Sequence, residues 1–420
     1  MMLDTAYLDK RRWLNLILQI LAGAAIMLVY MAHVWMLPLH ETYNWDMKII
    51  SLQFTLVAAS GVVASILGGK LREMWGDRKL LMISGIGFGV SIMICSISLS
   101  VWFFVIGAGV LASFFMFFIS ISQVENISEL FPDKNGLALG LYFFGYESLC
   151  AFLSPVAVWL MDTFGLPMSF IIQGIGYGCV LVIISRLIVV APESYRPQGW
   201  EPSVIEAVDE EDGGKTIDEI DRTANWKGVL LAPGFWVFAI TLFFAVCIPI
   251  GISANYTYLS VEAMGIDTSE AAWNYVIYGI AMSLGSVVIG FLSDIFGIMH
   301  SFAAITFLLA IGFFATIFIA PESSTLFFIV MSLAGFTVGA YSTVLAITLV
   351  TGWGEENYGL LMGIFGICAS VINYVGPQMS LRLDVDTFFT IGGVFCLIAT
   401  VMSFLVIKSI NKQVGYKVLK

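Results

Sequence analysis

Glu147 stands in "LALGLYFFGYESLCAFLSPVAVWL", residues 137–160, a run that is otherwise almost wholly apolar. A carboxyl group set in such a run, with no Lys or Arg close in sequence, favours its protonated form. It can take up a proton on one side of a barrier and release it on the other, or orient a bound solute. It can equally serve as a structural hydrogen bond between helices. Other polar side chains in apolar runs are Tyr30, His33, Gln123, Tyr146, Asn255, Tyr278, Tyr341 and Asn373. Their phenol, amide and imidazole groups suit contact with a small polar solute. His33 is the one titratable nitrogen among them and a second candidate proton site. Its place shortly before Pro38 also suits an outer membrane interface. Tyr256, Tyr258 and Tyr275 lie near run ends, where tyrosine commonly anchors a helix at the interface. No metal-ligand cluster, Ser/His/Asp arrangement or H-E-x-x-H helix is present, and no phosphate-binding loop. Neither an enzyme nor a cofactor nor direct coupling to ATP is expected.

Such residues need apolar elements to hold them. The chain has 420 residues, 59% hydrophobic and only 12% charged. A soluble domain carries about a quarter charged residues, so lipid is the expected solvent. The first apolar run follows "DKRRW" and is too long for a signal peptide. The six cysteines all fall in apolar runs without a CxxC pair and read as small core residues. A span needs about 20 apolar residues. Runs near 13–36, 50–69, 79–98, 101–124, 136–160 and 167–191 supply six, and runs near 234–258, 272–293, 298–320, 324–350, 359–381 and 386–408 supply six more. The expected fold is an all-α membrane protein with twelve transmembrane helices in two pseudo-symmetric six-helix bundles. Residues 1–192 form the first bundle, 193–227 an acidic cytoplasmic linker and 228–420 the second bundle. Glu147 then lies about 16 Å into the fifth helix, close to the bilayer centre.

Charge sets the orientation. With both termini cytoplasmic, only Lys48 and Arg382 of the 19 Lys and Arg fall on outer segments. The acidic excess behind the net charge of −11 lies mostly in the linker. The two halves also share a loop motif, G-x-L-x-acid-x-x-G. It reads "GKLREMWG" from Gly69 to Gly76, with Glu73 as its acid and Arg78 just beyond. It recurs as "GFLSDIFG" from Gly290 to Gly297, with Asp294 as its acid. The glycines permit tight helix ends, and the acid can sit against the positive N-terminus of a neighbouring helix. Two copies at matching loops imply an internal repeat and a gate on the cytoplasmic face.

"GGKLREMWGDRKLL" resembles the signature of the major facilitator superfamily between helices two and three, with Glu73 and Met74 departing from its usual aspartate and basic residue. "LFPDKNGLALGLYFFGY", "APGFWVFAITLFF" and "ENYGLLMGIFG" resemble the branch of oxalate/formate antiporters and monocarboxylate porters. That resemblance implies a secondary transporter with its site between the bundles. Oxalate transporters of this branch hold two buried cations. The matching positions here are Ser286 and Phe365, so oxalate binding is not carried across.

The expected function is secondary active transport of a small organic solute, a carboxylate or its protonated form, by alternating access with proton coupling or exchange. The expected partners are the solute, a proton or counter-substrate and membrane lipid, with no nucleic acid, and the chain acts as a monomer. The competing reading is a receptor or scaffold on the same fold that binds without transporting.

Overall fold

The computed structural model describes residues 5–30, 33–192, 195–199, 204–205, 215–216, 229, 231–266, 268–318, 323–354 and 357–419. The side chains of Tyr30 and His33, both candidate site residues, lie outside what is described.

The apolar runs fold as helices. In chain order these are α1 (Thr5–Tyr30), α2 (His33–Tyr43), α3 (Met47–Ile94), α4 (Val101–Ile106), α5 (Ser113–Leu130), α6 (Asn135–Phe164) and α7 (Leu166–Leu187). After them come α8 (Pro233–Ala254), α9 (Tyr256–Met264), α10 (Thr268–Phe296), α11 (Ile298–Phe318), α12 (Ser324–Trp353), α13 (Tyr358–Arg382) and α14 (Val385–Val414). A π-helical segment, Gly107–Ala112, joins α4 to α5. In the linker, Val204 pairs with Thr216 and Ile205 with Lys215 as a two-strand antiparallel ladder.

Nine described helical segments are long and apolar enough to cross a bilayer. α3 joins the runs expected for spans two and three, and α6 covers the fifth, so the helices accommodate the twelve expected spans. Helix ends follow local chemistry. Asp384 caps α14 by accepting from Thr387 N at 2.9 Å, and this bond holds its carboxyl group below the usual carboxylate range. Ser323 caps α12 through Leu326 N. Gly76 turns the chain inside α3 with φ +73°, and Gly297 does the same between α10 and α11 with φ +86°. Both close the loop motif in a region that favours glycine.

The contacts divide into two compact units. One holds residues 1–133, 145–200 and 356–367. Its α3 meets α7 through Gly85 and Gly89 against Gly174 and Gly178, where a Cβ on Gly89 would lie 2.6 Å from Gly174 O. Small residues let apolar helices approach closely where lipid offers no hydrophobic drive between them. The other unit holds residues 134–144, 201–355 and 368–420. Its core gathers Phe313, Phe327, Phe388 and Phe389 from α11, α12 and α14. There α10 crosses α12 at Gly339, whose Cβ would fall against Met282 O.

Candidate functional site

In the first unit α6 lies against α1. A Cβ on Gly145 would come 2.5 Å from Ile20, and one on Gly23 would come 2.9 Å from Tyr146 Cβ. Glu147 follows Tyr146 on this helix, and both are buried. Gln123 of α5 is fully buried and donates to Gln19 O at 2.7 Å. Around it runs an amide network. Asn15 and Gln19 of α1 both donate to Asn126 Oδ1 at 2.8 Å. Asn126 Nδ2 donates to Val189 O at 3.0 Å, and Val189 N donates to Asn15 Oδ1 at 2.8 Å. The amide of Gln123 therefore serves the join between α1 and α5.

In the second unit Asn255 stands where α8 gives way to α9, after Pro249 has interrupted the helix interior. Its Nδ2 donates to Ser380 Oγ at 2.9 Å and Pro377 O at 3.3 Å, tying that break to α13. Gly251 and Gly376 let the two helices meet there, with a Cβ on Gly251 2.5 Å from Gly376 O. Tyr278 is buried in α10 and packs with Tyr256 and Tyr275, the ring centroids 5.1–5.4 Å apart. Tyr256 is thus a core residue and not an interfacial anchor. Tyr341 is half-buried in α12, and Asn373 is exposed on α13. The structure places Gln123, Tyr146 and Glu147 in one unit and Asn255, Tyr278, Tyr341 and Asn373 in the other. Ser286 is fully buried, with its backbone carbonyl taken by Thr343 Oγ1, and Phe365 is buried too.

The two loop motifs sit at two helix crossings. At one, Gly290 of α10 meets the start of α6, and a Cβ on it would lie 2.3 Å from Gly136 O. Asp294 accepts from Gly136 N with Oδ1 and from Leu137 N with Oδ2, both at 2.9 Å. These are first-turn amides of α6, which have no partner within the helix and favour an anion. At the other crossing, Gly69 of α3 meets the start of α13. A Cβ on Gly359 would lie 3.2 Å from Gly69 N. Glu73 is exposed and makes no hydrogen bond or ion pair among the described residues. Arg78, also exposed, donates to Ile188 O at 3.1 Å.

The charge at that second crossing belongs instead to Arg72. Its guanidinium meets Asp77 at 2.7 Å, Glu125 at 2.5 Å and Glu129 at 2.5 Å. Ser122 Oγ also donates to Asp77 Oδ1 at 3.1 Å. Burial works against the charge on Arg72, but Glu125, Asp77 and Glu129 outweigh it and hold the guanidinium above its already high range. Tyr358, buried at the start of α13, faces Glu125. No group of three or more His, Cys, Asp or Glu side chains able to hold a metal is found among the described residues.

The sequence profile of the Major Facilitator Superfamily matches residues 16–377 and 250–416. The chain belongs to the Major Facilitator Superfamily. It is 25% identical over 369 residues to "Uncharacterized MFS-type transporter YhjX" of Escherichia coli (strain K12), covering 86% of each chain. It is 27% identical over 110 residues to mouse Monocarboxylate transporter 11, which spans 26% of this chain and 25% of that protein. Among solved structures, the proton:xylose symporter XylE superimposes with a TM-score of 0.71 at 15% identity, covering 95% of this chain and 96% of that one. The Escherichia coli fucose:proton symporter FucP gives 0.66 at 10% identity, covering 94% and 99%. These structural likenesses establish the fold.

For a Major Facilitator Superfamily chain, the sequence held more than its loop motif. Arg72, Asp77, Glu125, Glu129, Asn15, Gln19 and Asn126 are further functional candidates that lie toward span ends and away from the midplane groups. One signal was available. "GLALG", Gly136–Gly140, and "GLLMG", Gly359–Gly363, repeat in the halves and mark the two helix starts that the loop glycines meet.

Proposed function

We propose that this superfamily member is a secondary transporter that moves a small organic solute by alternating access and uses Glu147 to couple the movement to protons. The observation that carries this reading is one carboxyl group buried mid-helix in α6, beside the residues that seat on α1. Both termini are cytoplasmic, the protein is a monomer in the cytoplasmic membrane, and the loop-motif crossings form its cytoplasmic gate. They part when that face opens. The solute crosses without net negative charge, as a neutral molecule, a zwitterion or a carboxylate accompanied by its proton. No Lys or Arg of the sequence falls in the middle of a span, and desolvating a bare anion there is costly.

The test begins with a thermal-shift screen of small carboxylates, sugars and amino acids on the purified protein. The hit is then followed in proteoliposomes under an imposed pH gradient. Wild type accumulates it. Glu147→Gln folds and still exchanges substrate across the membrane but loses accumulation. A mutant that concentrates substrate with unchanged pH dependence removes the coupling role from Glu147 and directs it to His33. Binding without saturable flux in wild type replaces transport with the receptor reading.

A further inference from the structure

The fourth span is not a continuous α-helix. At Gly107–Ala112 the backbone widens into a π-helical segment. A wide turn holds one residue more than an α-turn and disturbs the ladder of backbone hydrogen bonds. Here two of its carbonyls are met by hydroxyl groups. Ser113 Oγ donates to Ala108 O at 2.9 Å. Ser60 Oγ, on α3, donates to Gly109 O at 3.1 Å and shares its proton with Leu56 O at 2.7 Å.

The segment is fitted to α3 at two places. A Cβ on Gly107 would lie 3.0 Å from Ser91 O, and one on Gly109 would lie 2.9 Å from Gln53 Cα. Gln53 is fully buried. Its Nε2 donates to Val29 O at 3.2 Å, but its Oε1 meets no hydrogen-bond donor among the described residues. A buried acceptor left in that state marks an arrangement that another conformer can improve. On the far side of the segment, α5 is held firmly. Gln123 and Asn126 join it to α1, and Glu125 and Glu129 grip Arg72 at the end of the first stretch of α3.

We propose that Gly107–Ala112 is a hinge in span four, on which α4 moves against α3 while α5 keeps its hold on Arg72. The physical basis is the choice of partner. Serine hydroxyls rotate and can follow a carbonyl through a bend, whereas a backbone amide in an α-helix cannot. The buried side of the segment is Gly107, Ala108, Gly109 and Ala112, so little side-chain volume resists the motion. α3 transmits it, because α3 contacts the segment at Gln53 and meets α13 at Gly69. The inference rests on the alternating-access reading, and its test reads conformation instead of flux, so the two can fail separately.

Deleting Val110 removes the extra residue and lets the segment close into a continuous α-helix, with α4 and α5 keeping their facings. Hydrogen exchange of the full chain in lipid nanodiscs is then followed by mass spectrometry. In the folded deletion variant, amides at the α3/α13 crossing, residues 65–70 and 358–363, exchange about tenfold more slowly than in wild type. Slowing confined to residues 107–112, with the crossing unchanged, overturns the hinge. If the deletion variant does not fold, the double substitution Ser60→Ala with Ser113→Ala decides. It loosens the segment without shortening the chain, so exchange rises at 107–112 and at the crossing together. A rise confined to 107–112 overturns the proposal.

Discussion

The two loop-motif crossings share a backbone design and differ in charge. In each, the first glycine of G-x-L-x-acid-x-x-G meets a glycine at the start of another helix, Gly290 against Gly136 and Gly69 against Gly359. In each, the last glycine turns the chain at positive φ. The acids part ways. Asp294 caps the start of α6 with both oxygens, while Glu73 faces outward and leaves the second crossing to Arg72 and its three carboxylates. Repeat symmetry has therefore kept the close approach of backbones, which no side chain can replace, and released the polar contact, which several chemistries can supply. The contact also differs in tightness. A Cβ on Gly290 would collide with Gly136 O at 2.3 Å, whereas one on Gly69 would meet only Gly359 Cα at 4.0 Å.

Breaking the Arg72 crossing has the largest expected effect. Arg72→Met takes the guanidinium away from Asp77 and Glu125, both almost fully buried, and costs about 3–5 kcal/mol. Thermal unfolding in detergent reads this as a marked fall in Tm. Arg72→Lys recovers only part of it, because one ammonium cannot reproduce the fork that meets three carboxylates. A Met variant as stable as wild type removes Arg72 from the account of that crossing. Next comes tightness. Gly290→Ala forces two backbones apart and costs about 1–3 kcal/mol. Gly69→Ala stays within about 0.5 kcal/mol, because its Cβ meets only an ordinary van der Waals contact. Equal losses in the two variants erase the difference between the crossings.

These contrasts also show what the sequence makes legible. Apolar runs and the distribution of Lys and Arg are long-range patterns, so span positions and the repeat can be read from them directly. The loop glycines are legible too, since spacing alone singles out Gly69, Gly76, Gly290 and Gly297. Which acid holds a helix start is not. Glu73 and Asp294 occupy matching positions, yet a rotation of one helix face decides whether a carboxylate meets an amide or solvent. Arg72 and Asp77 are near neighbours at the loop motif without being its acid, and Glu125 and Glu129 join them only through folding. Gln123 is a polar residue in an apolar run, which is the pattern of a site residue. Its amide Nε2 donates to Gln19 O because helix packing, invisible in one sequence, brings α1 beside α5.

Asp294→Asn sharpens the other crossing. The amide keeps one acceptor oxygen and loses the charge that favours the first turn of α6, a change of about 0.5–1 kcal/mol at an exposed position. Its effect on Tm is small. Hydrogen exchange at Gly136–Gly140 reads it better, because the Gly136 and Leu137 amides are the ones that meet Asp294, and faster exchange there with α5 unchanged is the expected pattern. Unaltered exchange assigns Asp294 no part in holding α6.

The smallest expected effect is at Glu73. Its side chain is exposed and makes no hydrogen bond or ion pair among the described residues, so Glu73→Gln removes one solvated charge and nothing else. Exposed single charges contribute little, and salt screens what remains. Tm and hydrogen exchange at 358–363 both stay at wild-type values. The same substitution separates two accounts of the repeat. If matching sequence position determines role, Glu73→Gln reproduces the Asp294→Asn pattern on the start of α13. If the contact determines role, the variant is silent and Glu125→Gln, which weakens the grip on Arg72 beside Tyr358, produces the change instead. Faster exchange at 358–363 in Glu73→Gln favours the first account, and silence there with a response in Glu125→Gln favours the second.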